Sequence, residues 1–181
     1  APASEILQTP ASEIERLWEF GSEQTAPNRL YFSENLGALA ALLSDSSVCG
    51  QVRLVYIDPP FATKSVFQSR TLNHAYDDVL HGEEFIEFLR KRLILLRELL
   101  AEDGSIYIHL DEKMVFHIKV IMDEIFGVEN YRNCITRKKC NPKNYTRKKY
   151  GNISDYILFY TNSDSYVCNR PVEQWTEPPA K

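Results

Sequence analysis

Residues Val52 to Ile57 (VRLVYI) run directly into Asp58-Pro59-Pro60-Phe61, and no other stretch restricts the fold of this chain as much. So dense a run of β-branched and aromatic residues is the composition of a central strand. Proline has no amide hydrogen to give a sheet ladder, so two in succession stop the strand. An acidic side chain is thereby left on a rigid turn at a strand's carboxyl end. About twenty residues follow, from Phe61 to His81, before the next regular pattern. That is longer than a compact domain ordinarily gives to a loop without function.

The rest of the chain alternates between two periodicities. Phe85, Phe88, Leu89, Leu93, Leu96, Leu99 and Leu100 share one stripe of a helix predicted over Glu83 to Ala101. Glu83 and Glu84 suit its positive start, and the polar break at Asp103-Gly104 is expected to end it. Ser105 to Leu110 (SIYIHL) reads as a second strand, and Glu112 to Phe126 as a helix closed by Gly127. Tyr131 to Arg137 and Tyr156 to Thr161 read as two more strands. Upstream, Arg29 to Ser33 reads as a short strand, and Asn35 to Leu43 as a helix with Leu36, Leu39, Leu42 and Leu43 on one side. Residues 1–28 carry a looser helical pattern (Ile6, Leu7, Ile14, Leu17, Trp18) and form an N-terminal arm.

Strand and helix in alternation predict an α/β fold, a mostly parallel sheet covered by helices. The last two strands lack a helix between them, so they are expected to be antiparallel. Ligands of open α/β sheets bind beyond the carboxyl ends of the strands, which is where Asp58 stands.

Bulk properties narrow the class. At 181 residues and 44% hydrophobic content the chain can bury one core and is not of disordered type. No apolar run approaches the roughly 18 to 20 residues that span a bilayer. The opening APASEILQTP has neither the basic nor the apolar segment of a secretory signal, so a cytoplasmic location is expected. Cys49, Cys134, Cys140 and Cys168 show no C-x-x-C spacing, and neither His109 nor His117 stands near them in sequence. No metal site is expected; the cysteines read as reduced, some of them in the core.

The net charge of −4 conceals an asymmetry. Arg137, Lys138, Lys139, Lys143, Arg147, Lys148 and Lys149 place seven basic residues in thirteen positions without an acid. The remainder carries about −11. With Tyr145 and Tyr150 alongside, this basic loop (137–149) has the footprint of phosphate binding, a solvated surface loop being the plain alternative.

Taken alone, Asp-Pro-Pro is a turn. Its groups also suit a demanding reaction. The exocyclic amino group of a base is a poor nucleophile, because its lone pair is delocalised into the ring. Hydrogen bonds accepted from its two N–H groups localise charge on nitrogen as a bond to a methyl group forms. The Asp58 carboxylate and the Pro59 carbonyl offer one acceptor each, fixed by proline, which is preorganised electrostatic help. The base must first leave its stack at a cost of a few kcal/mol. Stacking on Phe61 would offset about 1–3 kcal/mol of that.

Four blocks in order carry a closer likeness: YIDPPFATKSVF, AYDDVLHGEEFIEFLRKRLILLRELLAEDGSIYIHLD, KVIMDEIFGVENYRNCITRKK and YGNISDYILFYTNSD. Over roughly residues 29–175 the chain resembles the β-class DNA amino-methyltransferases with a DPPF motif, in particular the modification subunits of type III restriction systems. The resemblance implies a partial Rossmann-like methyltransferase fold: the catalytic half at 29–175, followed by a truncated tail at 176–181. It implies transfer of a methyl group from S-adenosylmethionine to the exocyclic amino group, mostly of adenine, in double-stranded DNA. Asp58, Pro59, Pro60 and Phe61 would form the active site.

In that family Tyr76 and Asp77 fall in a loop around the DNA or the flipped base. His109 and Asp111 would end the next strand on the edge that Asp58 occupies, strand-end capping and loop anchoring being the other reading. Protein partners would be a restriction endonuclease subunit or a second copy of the chain.

Two departures stand out. Ser33-Glu34 replaces the family's Gly-Asp pair, so Glu34 joins Asp58 as a candidate cofactor contact. No G-x-G occurs among the seven glycines, although the family holds its cofactor on a Phe-x-Gly-x-Gly loop. The S-adenosylmethionine site is therefore expected to be incomplete and the chain inactive alone. Methylation of cytosine, RNA or a protein amide stays open, as does a DNA-binding or assembly module without catalysis.

Overall fold

The structure is a computed structural model and describes residues 1–15, 28–59, 82–141 and 150–169. Its elements are α1 (Ala3–Ile6), α2 (Asn35–Leu43), β1 (Val52–Ile57), α3 (Gly82–Leu99), β2 (Leu100–Leu110), α4 (Val115–Phe126), β3 (Tyr131–Lys138) and β4 (Ser154–Thr161). The four strands form one sheet in the order β1-β2-β4-β3. β1 pairs with β2 in parallel, while β4 is antiparallel to both β2 and β3. Three strands thus point one way and β4 alone runs against them. The expected antiparallel pair β3/β4 is present, and β4 inserts between β2 and β3.

Most elements fall where the patterns put them, and the differences have local causes. α3 ends at Leu99, not at Asp103-Gly104, because β2 begins at Leu100 by pairing with Val52. The register then shifts, so that Leu54 faces Ser105. A Cβ on Gly104 would lie 2.9 Å from the backbone oxygens of Ala101 and Val52, so only glycine fits this close approach. α4 begins at Val115, three residues later than expected, because Asp111 holds a turn ahead of it. Gly127 closes α4 at φ 89°, a conformation that favours glycine.

Arg29 to Ser33 forms no strand, contrary to its composition. Leu30 and Phe32 are almost fully exposed, and no described strand pairs with them. A strand without a neighbour has no ladder to hold it. Of the arm, α1 buries Ile6 against the core, and Arg90 donates to the carbonyl of Ala1 at 2.9 Å. Leu17 and Trp18 lie outside the described residues.

The core lies on one face of the sheet. Ile106, Ile108 and Leu110 of β2, with Leu158 and Tyr160 of β4, meet Phe85, Leu89 and Leu93 of α3 and Ile118 and Met122 of α4. Tyr160 carries its hydroxyl into this layer and donates it to Asp123 Oδ1 at 2.7 Å. Burial, with the Asp123 carboxylate beside it, pushes that phenol well above its ordinary value. Burial also acts to raise the Asp123 carboxyl, but the Lys119 ammonium and the Tyr160 hydroxyl outweigh it and hold it below the usual carboxylate range.

Helices were expected to cover the sheet; among the described residues they cover one face. The other stays open around Leu54, Tyr56 and Ile135, which are 63%, 58% and 44% exposed. Cysteines are absent from the core as well: Cys49 and Cys140 are half-buried, Cys134 and Cys168 exposed. No helix among the described residues is long and apolar enough to cross a membrane.

This one-sidedness has a direct consequence for stability. Ile108→Ala should cost about 2–5 kcal/mol, the range for emptying a packed core site. Leu54→Ala on the same sheet should change stability by less than about 0.5 kcal/mol. Urea unfolding of the two variants checks both values.

Candidate active site

The register of the parallel ladder brings the site together. Tyr56 pairs with Tyr107 and Ile57 with Ile108, so one step further Asp58 stands beside His109. Directly paired residues of parallel strands share a face, and here it is the open one. Asp58 Oδ1 lies 3.2 Å from His109 Nδ1. A carboxylate can only accept, so in a hydrogen bond between them the imidazole Nδ1–H is the donor. The Asp58 side chain is 60% exposed, while Pro59 behind it is buried. The turn is thus rooted in the fold while its acid faces outward.

His109 is itself buried, 8% exposed, and its Nε2 lies 3.6 Å from Asp155 Oδ2. Asp155 belongs to β4. His109 pairs with Ile157, and Asp155 two residues earlier projects on the same face. At 5% exposure it needs compensating charge, and two cations supply it. Lys139 Nζ donates to Asp155 Oδ1 at 2.9 Å. Arg137, directly opposite in the β3/β4 ladder, donates to Oδ2 at 3.4 Å. Burial acts to lower the Lys139 ammonium, but Asp155, then Glu112 and Asp111, hold it above its ordinary value. A chain of contacts therefore runs across the sheet from Asp58 through His109 to Asp155 and on to the two cations.

Several sequence candidates make contacts within the fold. Arg137 and Lys139, assigned to DNA phosphate, are tied to Asp155. Lys138 pairs with Ser154 in the ladder and is exposed. Glu34 caps α2, with Oε2 accepting from the amides of Leu36 at 2.8 Å and Gly37 at 3.3 Å. Its Oε1 pairs with Arg92, which also bonds Asn35 and lies over the ring of Phe88. Asp111 anchors the turn ahead of α4, accepting from the amides of Lys113 and Met114 at 3.1 Å each. Pro60, Phe61, Tyr76, Asp77, Lys143, Arg147, Lys148 and Lys149 lie outside the described residues.

Asp155 was missed in the sequence. An acid opening the run SDYILFY is unremarkable until β4 is known to lie between β2 and β3, where it meets both His109 and the basic segment.

The family model described as DNA methylase, for the N6/N4 enzymes, matches residues 52–180, and the chain belongs to that family. The chain is 44% identical over 172 residues to the type II methyltransferase M.EcaI of Enterobacter cloacae, covering 93% of this chain and 37% of that protein. To the EcoP15I Mod subunit of a type III restriction-modification enzyme of Escherichia coli it is 29% identical over 152 residues, covering 69% and 22%. The solved structure of M1.HpyAVI overlays on 80% of this chain and 63% of its own at 14% identity and a TM-score of 0.49. Relatives therefore include both type II and type III enzymes. The chain spans between about a fifth and two fifths of the length of these two curated relatives.

Removing the buried acid tests the chain of contacts. A fully buried ion pair broken on one side costs about 3–5 kcal/mol. Arg137 and Lys139 are 56% and 31% exposed and can turn to water once Asp155 is gone. Asp155→Ala should accordingly cost less, about 1.5–3 kcal/mol in chemical denaturation, the range for hydrogen bonds to a charged group.

Proposed function

We propose that this chain is the catalytic part of a DNA methyltransferase of a restriction-modification system, acting on the exocyclic amino group of a flipped adenine. The observation that carries this reading is the placement of Asp58. Its carboxylate stands exposed at the sheet's carboxyl edge, on a buried proline. One oxygen faces His109, and none of the described residues engages the other. Asp58 Oδ2 and the Pro59 carbonyl then accept the two N–H groups of the amine, raising electron density on nitrogen. As nitrogen gains its new bond, Oδ2 is the atom placed to take the displaced proton. Phe61, as a stacking platform for the base, and Tyr76 and Asp77, around it, complete the site in this reading.

S-adenosylmethionine supplies the methyl group. Glu34, a candidate contact for it, has both carboxylate oxygens engaged by α2 and Arg92, so the reading assigns the holding of the cofactor to other residues. A restriction endonuclease subunit or a second copy of the chain fits the reading as protein partner, and the cytoplasm fits as its location.

DNA contact falls to Lys138 and to Lys143, Arg147, Lys148 and Lys149, with Arg137 and Lys139 holding the base of the loop. This division follows from Asp155, which faces both of the latter cations.

Two experiments follow. Nucleoside digestion of DNA treated with S-adenosylmethionine and a polypeptide carrying this chain should yield N6-methyladenine. Asp58→Ala should lower its formation by at least about 100-fold, the effect of losing one preorganised polar group. N4-methylcytosine as product would move the substrate to cytosine; binding without any methylated nucleoside would favour the non-catalytic module. Separately, joint replacement of Lys138, Lys148 and Lys149 by alanine should flatten the salt dependence of duplex binding, by about 0.9 in log–log slope for each phosphate that is no longer neutralised. An unchanged slope removes the loop from the interface.

A further inference from the structure

We infer that His109, buried in the sheet between two ladders, is a positioning residue for the Asp58 carboxylate, an inference that rests on the methyltransferase reading above for its catalytic consequence. Asp58 follows a strand end and is 60% exposed, so packing alone does not fix its rotamer. Its one polar contact among the described residues is His109 Nδ1 at 3.2 Å, on Oδ1. Holding Oδ1 turns Oδ2 toward the place where an amine must present its N–H.

The imidazole is well suited to this task because it is immobilised. It is 8% exposed and set by the parallel ladder on one side, where Ile57 pairs with Ile108. On the other side it is set by the antiparallel ladder, where His109 itself pairs with Ile157. Its far nitrogen faces Asp155 Oδ2 at 3.6 Å. Asp155 in turn is fixed by Lys139 at 2.9 Å and Arg137 at 3.4 Å. An exposed catalytic group oriented by a ring that two ladders hold within the sheet is how side chains are held to the tolerance that preorganised catalysis requires. His109 and Asp155 sit within strands, whereas Asp58 is the first residue beyond one.

Substitutions that separate the two nitrogens of His109 test this. The asparagine amide places its NH2 near the position of Nδ1, whereas glutamine reaches toward that of Nε2. Crystal structures of a polypeptide carrying this chain, as wild type and as His109→Asn, His109→Gln and His109→Leu, should show Asp58 in one rotamer in the first two, and the same polypeptides serve for activity. In the last two it should occupy several. In methyl-transfer assays, His109→Gln and His109→Leu should lower kcat by about 10- to 100-fold, the effect of a misplacement near 1 Å, with KM for DNA little changed. His109→Asn should recover most of the loss.

A single unchanged Asp58 rotamer in His109→Leu would overturn the positioning role whatever the activity. An ordered Asp58 in wild type and His109→Asn, disordered in the others, together with a wild-type enzyme that transfers no methyl group, would uphold the positioning and overturn the methyltransferase reading instead. Equal kcat in all four proteins, in an enzyme that does transfer, would overturn the catalytic consequence.

Discussion

The site depends on the register of one ladder. β1 and β2 run in parallel from Leu54 opposite Ser105 to Ile57 opposite Ile108, and the next pair of positions is Asp58 and His109. A slip by one residue would turn every side chain of β1 to the other face, sending Leu54 and Tyr56 toward the core and Asp58 away from the imidazole. The core guards against this slip. Val55 and Ile57 pack against buried Ile106 and Ile108, so hydrophobic burial on one face fixes the pairing of Asp58 with His109 on the other. Pro59 then stops the strand where its acid is needed.

The same sheet reconciles two demands that ordinarily conflict. The hydrophobic core lies on the side bearing α3 and α4, where the largest side chains are fully buried, while the other face carries a smaller stack of Tyr107 on Phe159. On the opposite side His109 and Asp155 are buried too, but as polar groups with partners. Asp155 can occupy that position because β4, running against its neighbours, brings the acid between the histidine of β2 and the cations at the end of β3. A charge in that setting is tolerable only when compensated, and Lys139 and Arg137 do so from one segment. The first residues of the basic stretch thereby brace the sheet.

Much of this was legible in the sequence, for identifiable reasons. α2 and β1 fall at their expected bounds because an amphipathic helix with a Leu stripe and a β-branched run cut by proline are both strong local signals. The antiparallel β3/β4 pair followed from the lack of a helix between those strands. What failed was non-local. Arg29 to Ser33 has strand composition but finds no described neighbour, and composition cannot supply one. The strand order was beyond reach, and with it the role of Asp155. Glu34 drew attention as an acid at a suggestive place, yet its geometry is that of a helix cap joined to buried Arg92. Asp58 and His109 were both expected at one edge of the sheet, and the ladder sets them side by side; Asp155 became visible only with the strand order.

The central claim is that Asp58 and Pro59 grip the amine of an extruded base. The most direct test is a crystal structure of a polypeptide carrying this chain with duplex DNA that contains its target base. The account predicts the exocyclic nitrogen within about 2.7–3.2 Å of both Asp58 Oδ2 and the Pro59 carbonyl oxygen, ordinary hydrogen-bond distances. His109 should remain on Asp58 Oδ1. A base bound elsewhere, or an amine out of reach of Asp58, would contradict it.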